Sequence, residues 1–76
     1  MKVQILGTGC SSCRVLEEHA RLAIAELGNG AEVEKVTDLA AIVNMGVMST
    51  PALAVDGVVK SVGRILTKDQ ILALLR

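Results

Sequence analysis

Two cysteines separated by two residues are the part of this sequence best suited to chemistry. Cys10 and Cys13 enclose two serines, and they are the only cysteines among 76 residues. Thiols at this spacing fall in the first turn of a helix, close enough to form a small disulfide. The partial positive charge of a helix N-terminus stabilises the thiolate of the first cysteine. A thiolate beside a partner thiol indicates thiol–disulfide exchange.

Two other functions remain open for the same pair. Two soft thiolates suit Cu(I), so a copper-binding or copper-transfer domain is one alternative. The other is a non-enzymatic interaction module whose cysteines act as a redox sensor. A closed zinc site needs four ligands, and His19 follows Cys13 by about 240° around a helix, so it points away. Thiol–disulfide exchange is the function we favour, and for it we expect no bound metal and no cofactor.

The composition narrows the class of protein. The length predicts a single domain over residues 1–76. The chain has no Phe, Tyr or Trp, and its eight basic and eight acidic residues form no block of like charge. Both features argue against nucleic-acid binding, and the charge pattern argues against an electrostatic membrane anchor. No apolar run approaches the roughly 20 residues that span a membrane. We expect a cytoplasmic monomer, in which a lone cysteine pair is catalytic or metal-binding.

The elements around the cysteines follow from local patterns. The apolar run Val3–Leu6 predicts a buried strand, and the glycine-rich turn 7–9 leads to the cysteines. From Ser11 to about Leu27, apolar residues recur at helical spacing. A second strand is predicted over Ala31–Val36.

The second half of the chain predicts a short helix, a hairpin and a terminal helix. Thr37 and Asp38 are candidate caps for a helix that stops at Gly46. Pro51 opens the apolar strand 52–55. Asp56-Gly57 predicts a hairpin turn into the strand 58–62. Thr67 and Gln70 form a capping-box pattern before the terminal helix. The predicted order is β-α-β-α-β-β-α, an α/β fold with a mixed four-stranded sheet flanked by three helices on both faces.

This order resembles the thioredoxin fold, and the chain is similar to the small archaeal and bacterial redox-active disulfide proteins of the thioredoxin superfamily. The resemblance is carried by residues 7–13, Gly-Thr-Gly-Cys-Ser-Ser-Cys, and residues 50–57, Thr-Pro-Ala-Leu-Ala-Val-Asp-Gly. It implies a protein-disulfide oxidoreductase in which Cys10 attacks and Cys13 resolves. It also implies that Pro51 is a cis-proline facing the disulfide and that the backbone of Thr50 pairs with an extended substrate segment. The implied partners are substrate protein disulfides and an upstream disulfide reductase.

Some positions depart from the patterns of related families. The buried acid of thioredoxin falls at Gln4, which cannot relay a proton, and the glycine pair and acid with which glutaredoxins bind glutathione are absent. Heavy-metal-associated copper domains share the cysteine phrase, but they carry Met where this chain has Thr8, and they end on a strand. Arg14 has two possible roles, adding positive charge near the thiols or pairing with Glu18 in solvent, and we expect the pairing with Glu18.

Overall fold

The computed structural model of the protein describes residues 1–9 and 11–76. Cys10, the expected nucleophile, lies outside the described residues. The order of helices and strands predicted from the sequence is confirmed. The elements are β1 (Lys2–Leu6), α1 (Ser11–Leu27), β2 (Glu32–Val36), α2 (Leu39–Asn44), β3 (Ala52–Val55), β4 (Val58–Val62) and α3 (Lys68–Leu75).

The four strands form one mixed sheet in the order β2-β1-β3-β4. β1 and β2 are parallel neighbours, because α1 carries the chain from the end of β1 back to the start of β2. β3 is antiparallel to both β1 and β4. The expected α/β class with a mixed four-stranded sheet is therefore confirmed.

The turn between β3 and β4 has the conformation that its two residues, Asp56 and Gly57, favour. Asp56 and Gly57 have φ angles of 51° and 84°, the positive values that a two-residue hairpin of this hand requires. Asp56 also ties the turn to the first strand, since its Oδ1 accepts a hydrogen bond of 2.7 Å from the backbone N–H of Lys2. One irregularity was not predicted: the β3–β4 register shifts between Leu53 and Ala54.

Helices cover both faces of the sheet, and the buried cluster on one face is larger than that on the other. On one face α1 packs against α3 over a large aliphatic cluster. The α1 residues in this layer follow Cys13 at helical spacing, so the buried side of the helix begins at that thiol. The cluster contains Val3, Ile5, Leu16, Ala20, Ala23, Leu53, Val55, Leu66, Ile71, Leu72 and Leu75.

The opposite face is thinner and is covered by α2. Its buried cluster contains only Leu6, Ile42, Val47, Ala52 and Ala54, with Met45 packed against it. Asp38 is the N-cap of α2, as predicted, but its side chain makes no capping hydrogen bond. The short helix is therefore held by Ile42 and the residues around it rather than by its cap.

Candidate active site

Cys13 lies at the junction of three chain segments. It is buried, with 5 % of its surface exposed. A Cβ atom built on Gly7 would collide with Sγ of Cys13 and would lie 3.8 Å from Cβ of Thr50. The end of β1, the first turn of α1 and the loop before β3 thus meet at this thiol. Only glycine fits at position 7, because any side chain there would displace the sulfur or the backbone.

Thr50 and Pro51 are neighbours that differ in their exposure to solvent. The peptide bond that joins them is cis. Pro51 is buried and its carbonyl accepts a 2.8 Å hydrogen bond from the backbone N–H of Gly63. Thr50 is exposed, and none of the described residues hydrogen-bonds to its backbone.

A cavity of about 140 Å³ adjoins the buried thiol. Three charged residues border it, two from α1 and one from β2, and the rest of its described lining is small or uncharged. The lining residues are Ile5, Gly7, Gly9, Cys13, Arg14, Glu17, Lys35 and Thr37. Charge is thus brought next to a sulfur that is itself nearly inaccessible to solvent.

The carboxylate of Glu17 is the centre of the charged part of this cavity. Its Oε2 accepts hydrogen bonds from Nε and Nη2 of Arg21, at 3.0 and 2.8 Å. Its Oε1 lies 3.5 Å from Nζ of Lys35. The hydrogen bond from Arg21 holds the pKa of Glu17 below its usual value. Partial burial opposes this lowering of the pKa, and the attraction of Lys35 supports it.

Several residues at the site were not singled out by the sequence pattern. Gly7 was expected only as a turn residue, and nothing in the local sequence indicates that Glu17 meets Lys35. The i,i+4 spacing of Glu17 and Arg21 does predict their contact, which is confirmed. The expected pairing of Arg14 with Glu18 is wrong: these two residues form no ion pair, and Arg14 borders the cavity instead.

His19 is turned to the contact between α1 and the loop before α3. Its Nδ1 lies 2.8 Å from the carbonyl oxygen of Leu66. Across residues 1–9 and 11–76, no three His, Cys, Asp or Glu side chains form a group that could hold a metal ion.

Gln4, at the position of the acid in related proteins, donates a 2.9 Å hydrogen bond from Nε2 to Oε1 of Glu34. That bond and a 3.1 Å contact between Glu34 and Nζ of Lys2 hold the pKa of Glu34 below its usual value. Gln4 alternates with Val3 and Ile5, which belong to the α1 face, so this polar pair is separate from the cavity beside Cys13.

Comparison with known proteins identifies the family to which this chain belongs. A family described as thioredoxin domain matches residues 1–76. The chain belongs to the thioredoxin family. A thioredoxin from Methanothermobacter thermautotrophicus is 47 % identical over 75 residues, which cover 99 % of this chain and 97 % of that protein. A thioredoxin from Methanocaldococcus jannaschii is 39 % identical over 69 residues, which cover 91 % of this chain and 79 % of that protein.

Membership confirms the expected class of activity. The chain is a protein-disulfide oxidoreductase, so its general chemistry is thiol–disulfide exchange. The copper-transfer and sensor alternatives are not favoured by these relatives. None of the described helices is both long enough and apolar enough to cross a membrane.

Proposed function

We propose that Cys10 and Cys13 carry out the exchange in two steps. The thiolate of Cys10 attacks a protein disulfide, a bond forms between Cys10 and one substrate sulfur, and the second substrate sulfur leaves as a thiol after taking a proton. Cys13 then loses its proton and attacks Cys10. The Cys10–Cys13 disulfide forms and the first substrate sulfur is released. Two electrons pass from the protein to the substrate, and a disulfide reductase restores the dithiol.

The location of Cys13 is the observation that carries this proposal. A resolving thiol must be protected from outside disulfides and yet lie beside the attacking thiol. Cys13 is 5 % exposed and is three residues along from Cys10, at the start of α1. Its burial favours attack on a neighbouring sulfur over attack on a distant one, which is the property that resolution needs.

We also propose that Thr50 and Pro51 bind the substrate chain. The exposed backbone of Thr50, which the described part of the protein leaves without a partner, supports strand-like pairing with an extended segment. Pro51 is buried next to it and fixes the direction of this segment. The proximity of Thr50 to Gly7 and Cys13 supports an arrangement in which a substrate on Thr50 has its disulfide near the cysteines.

The partners and setting follow from the same chemistry. We propose that residues 1–76 act as one thioredoxin-like domain and as a monomer, and that the reaction takes place in the cytoplasm. There, reductases keep protein thiols reduced and a dithiol is returned to its active form. Its substrates are protein disulfides.

The proposal is tested with the two single-serine variants and a disulfide-containing substrate protein. Cys13→Ser should accumulate a mixed disulfide through Cys10, visible as an adduct by non-reducing electrophoresis and mass spectrometry. Cys10→Ser, the matched control, should form no adduct and should lose exchange. The assigned roles are wrong if Cys13→Ser retains full turnover in a dithiol-driven assay, or if the adduct forms on Cys13 of the Cys10→Ser variant.

The same trapped adduct tests the role of Thr50. In a mixed disulfide with an extended peptide, the amide hydrogen of Thr50 should exchange with solvent more slowly than in the unmodified protein. The amide of Thr8, also exposed but not proposed to pair, is the internal control. Equal exchange of Thr50 in both forms would mean that the peptide does not bind along this backbone.

A further inference from the structure

A second cavity, of about 360 Å³, lies between β4 and α3 and shares no lining residue with the cavity beside Cys13. Two basic residues, Lys60 and Arg64, border it, and no acidic residue of the described chain does so. Both residues are exposed, and neither forms an ion pair with the described part of the protein. Two uncompensated positive charges therefore border a space large enough for a small organic molecule.

The irregularity in the β3–β4 pairing explains why two consecutive residues of a strand reach this cavity. The residues on either side of Lys60 pair with Leu53 and Ala54, which are consecutive on β3. Lys60 is therefore the extra residue of a bulge. In a regular strand, Lys60 and Ser61 would lie on opposite faces of the sheet. A bulge redirects a side chain, and here both residues line the same cavity.

Two uncharged donors border the same cavity. Oγ of Ser61 is buried and has no hydrogen-bond partner among the described residues, although the large majority of buried polar side-chain atoms in proteins have one. Rotation about χ1 moves this hydroxyl between three staggered positions. The side-chain carbonyl of Gln70 accepts a hydrogen bond from the N–H of Thr67, and the described part of the chain leaves its NH₂ group unbonded. The free polar side chains at this cavity are thus all able to donate.

The rest of the described lining is apolar. It consists of Val62, Leu66 and Leu74, and two of these side chains, Val62 and Leu74, are 41 % and 36 % exposed. Such a wall gains free energy when the carbon body of a ligand covers it. The lining therefore fits a molecule that has an anionic end and an apolar end better than it fits a bare ion.

We propose that this cavity binds a small phosphate monoester with an aliphatic body. A phosphate monoester carries a charge of about −1.5 to −2 at pH 7, which matches two cations better than the single charge of a carboxylate does. The planar guanidinium of Arg64 suits phosphate oxygens, and Lys60 adds a compact positive charge. The inference goes beyond the proposed exchange reaction and does not rest on it, because Cys13 does not border this cavity and the binding needs no thiol.

The test is a titration of the reduced, ¹⁵N-labelled full chain with n-butyl phosphate at fixed pH and ionic strength, followed by two-dimensional NMR. The amide signals of residues 60–66 and of Gln70 should shift along saturable curves that share one Kd. Arg64→Gln and Lys60→Gln should each raise this Kd at least about tenfold, because each removes a charge-assisted hydrogen bond. Arg76→Gln is the matched control: it removes the same charge from an exposed residue that does not line the cavity, and it should change the Kd less than about twofold.

Two further probes test the chemistry of the ligand. Inorganic phosphate should bind at least about threefold more weakly than n-butyl phosphate, because it leaves the apolar wall uncovered. Pentanoate, which has an aliphatic body but a single charge, should also bind at least about threefold more weakly. Equal affinity for pentanoate would overturn the assignment to a phosphate monoester, and equal affinity for inorganic phosphate would overturn the role of the apolar wall.

The free hydroxyl provides a separate check of the location. Ser61→Ala should raise the Kd about threefold and leave the urea midpoint of unfolding unchanged, because the described chain loses no internal hydrogen bond. An unchanged Kd would exclude this hydroxyl from the site. Signals that shift without saturating, or equal weakening in Arg64→Gln and Arg76→Gln, would mean that anions gather on the surface without a site, and would overturn the proposal.

Discussion

The first turns of α1 and α3 are built in opposite ways. At α3 the start is specified within four residues: Oγ1 of Thr67 accepts a 3.2 Å hydrogen bond from the N–H of Gln70. The side chain of Gln70 accepts one of 2.9 Å from the N–H of Thr67. At α1 the described first turn contains no acidic residue. Its Cys13 packs against Gly7, and Gly7 also lies close to Thr50, which is far away in sequence.

The start of α3 is thus stabilised by its own side chains, whereas the start of α1 carries the cysteine that we propose to resolve the mixed disulfide. In α3 the backbone donors and the positive end of the dipole are satisfied by the helix's own side chains. An acidic residue in the first turn of α1 would disfavour a thiolate there. The described part of α1 instead brings its first acid, Glu17, in the second turn, where it meets Arg21 and Lys35. Tertiary contacts hold this helix in place.

The largest expected effect comes from removing the tertiary contacts of α1. Leu16 is fully buried one turn after Cys13. Leu16→Ala should lower the free energy of unfolding by about 2–5 kcal/mol, because it deletes buried methyl groups and leaves a cavity. Urea unfolding followed by far-UV circular dichroism measures the loss. Leu22→Ala, on the same helix but 53 % exposed, is the control and should cost less than about 1 kcal/mol. Similar losses in both variants would contradict the idea that α1 depends on packing.

A smaller effect is expected from crowding the site itself. Gly7→Ala places a methyl group on Sγ of Cys13, which should destabilise the protein by about 1–3 kcal/mol and slow resolution of the trapped substrate. Thr8→Ala is the control at an exposed neighbouring position. If Gly7→Ala matches Thr8→Ala in both unfolding and exchange rate, the contact between β1 and the thiol does not constrain the site.

A still smaller effect is expected at the start of α3, from removing the side chain of its N-cap. Thr67→Ala should cost about 1 kcal/mol, because it removes a side-chain acceptor for the N–H of Gln70. Asp38→Ala is the matched control, since Asp38 is the N-cap of α2 but makes no side-chain capping bond. It should change the free energy of unfolding by a few tenths of a kcal/mol at most. Equal losses in the two variants would mean that the capping box adds nothing to α3.

The smallest effect is the pH dependence contributed by Glu17. Its pKa is lowered in the folded protein, so its stabilising contribution is complete above the pKa of the unfolded chain and is lost as the pH falls through the folded pKa. Urea midpoints measured from neutral pH down to about pH 3 should fall less steeply in Glu17→Gln than in the unmodified protein. Glu18→Gln should leave the slope of the urea midpoint against pH unchanged. A flatter slope in that variant as well would mean that the loss of any carboxylate on α1, rather than the contacts of Glu17, causes the effect.

Local sequence predicted most of the fold. The turn residues Asp56-Gly57, the capping box of α3 and the helical spacing of α1 each act over fewer than about five neighbouring positions, where backbone sterics and hydrogen bonding decide the outcome. The bulge in the β3–β4 pairing was not predicted. It is a property of the pairing between two strands, and neither strand by itself contains that information.

For the site, the sequence indicated the proposed reacting groups but not the residues that surround them. The spacing of Cys10 and Cys13 and the resemblance around Thr50 and Pro51 identified candidate residues. The expectation for Arg14 failed because helical spacing permits a contact with Glu18 but does not require it, and exposed pairs of this kind contribute little free energy.

By itself, the sequence determined the order of the elements, the hairpin turn at Asp56-Gly57, the capping box of α3, and the pair of thiols that we propose to carry out exchange. The tertiary structure alone decided that Gly7 lies close to both Cys13 and Thr50 and that Glu17 and Lys35 line a cavity with Cys13. The reason is physical. Periodicity and capping are local properties of the backbone, whereas the contacts of a buried sulfur depend on strand register and on how α1 lies across the sheet.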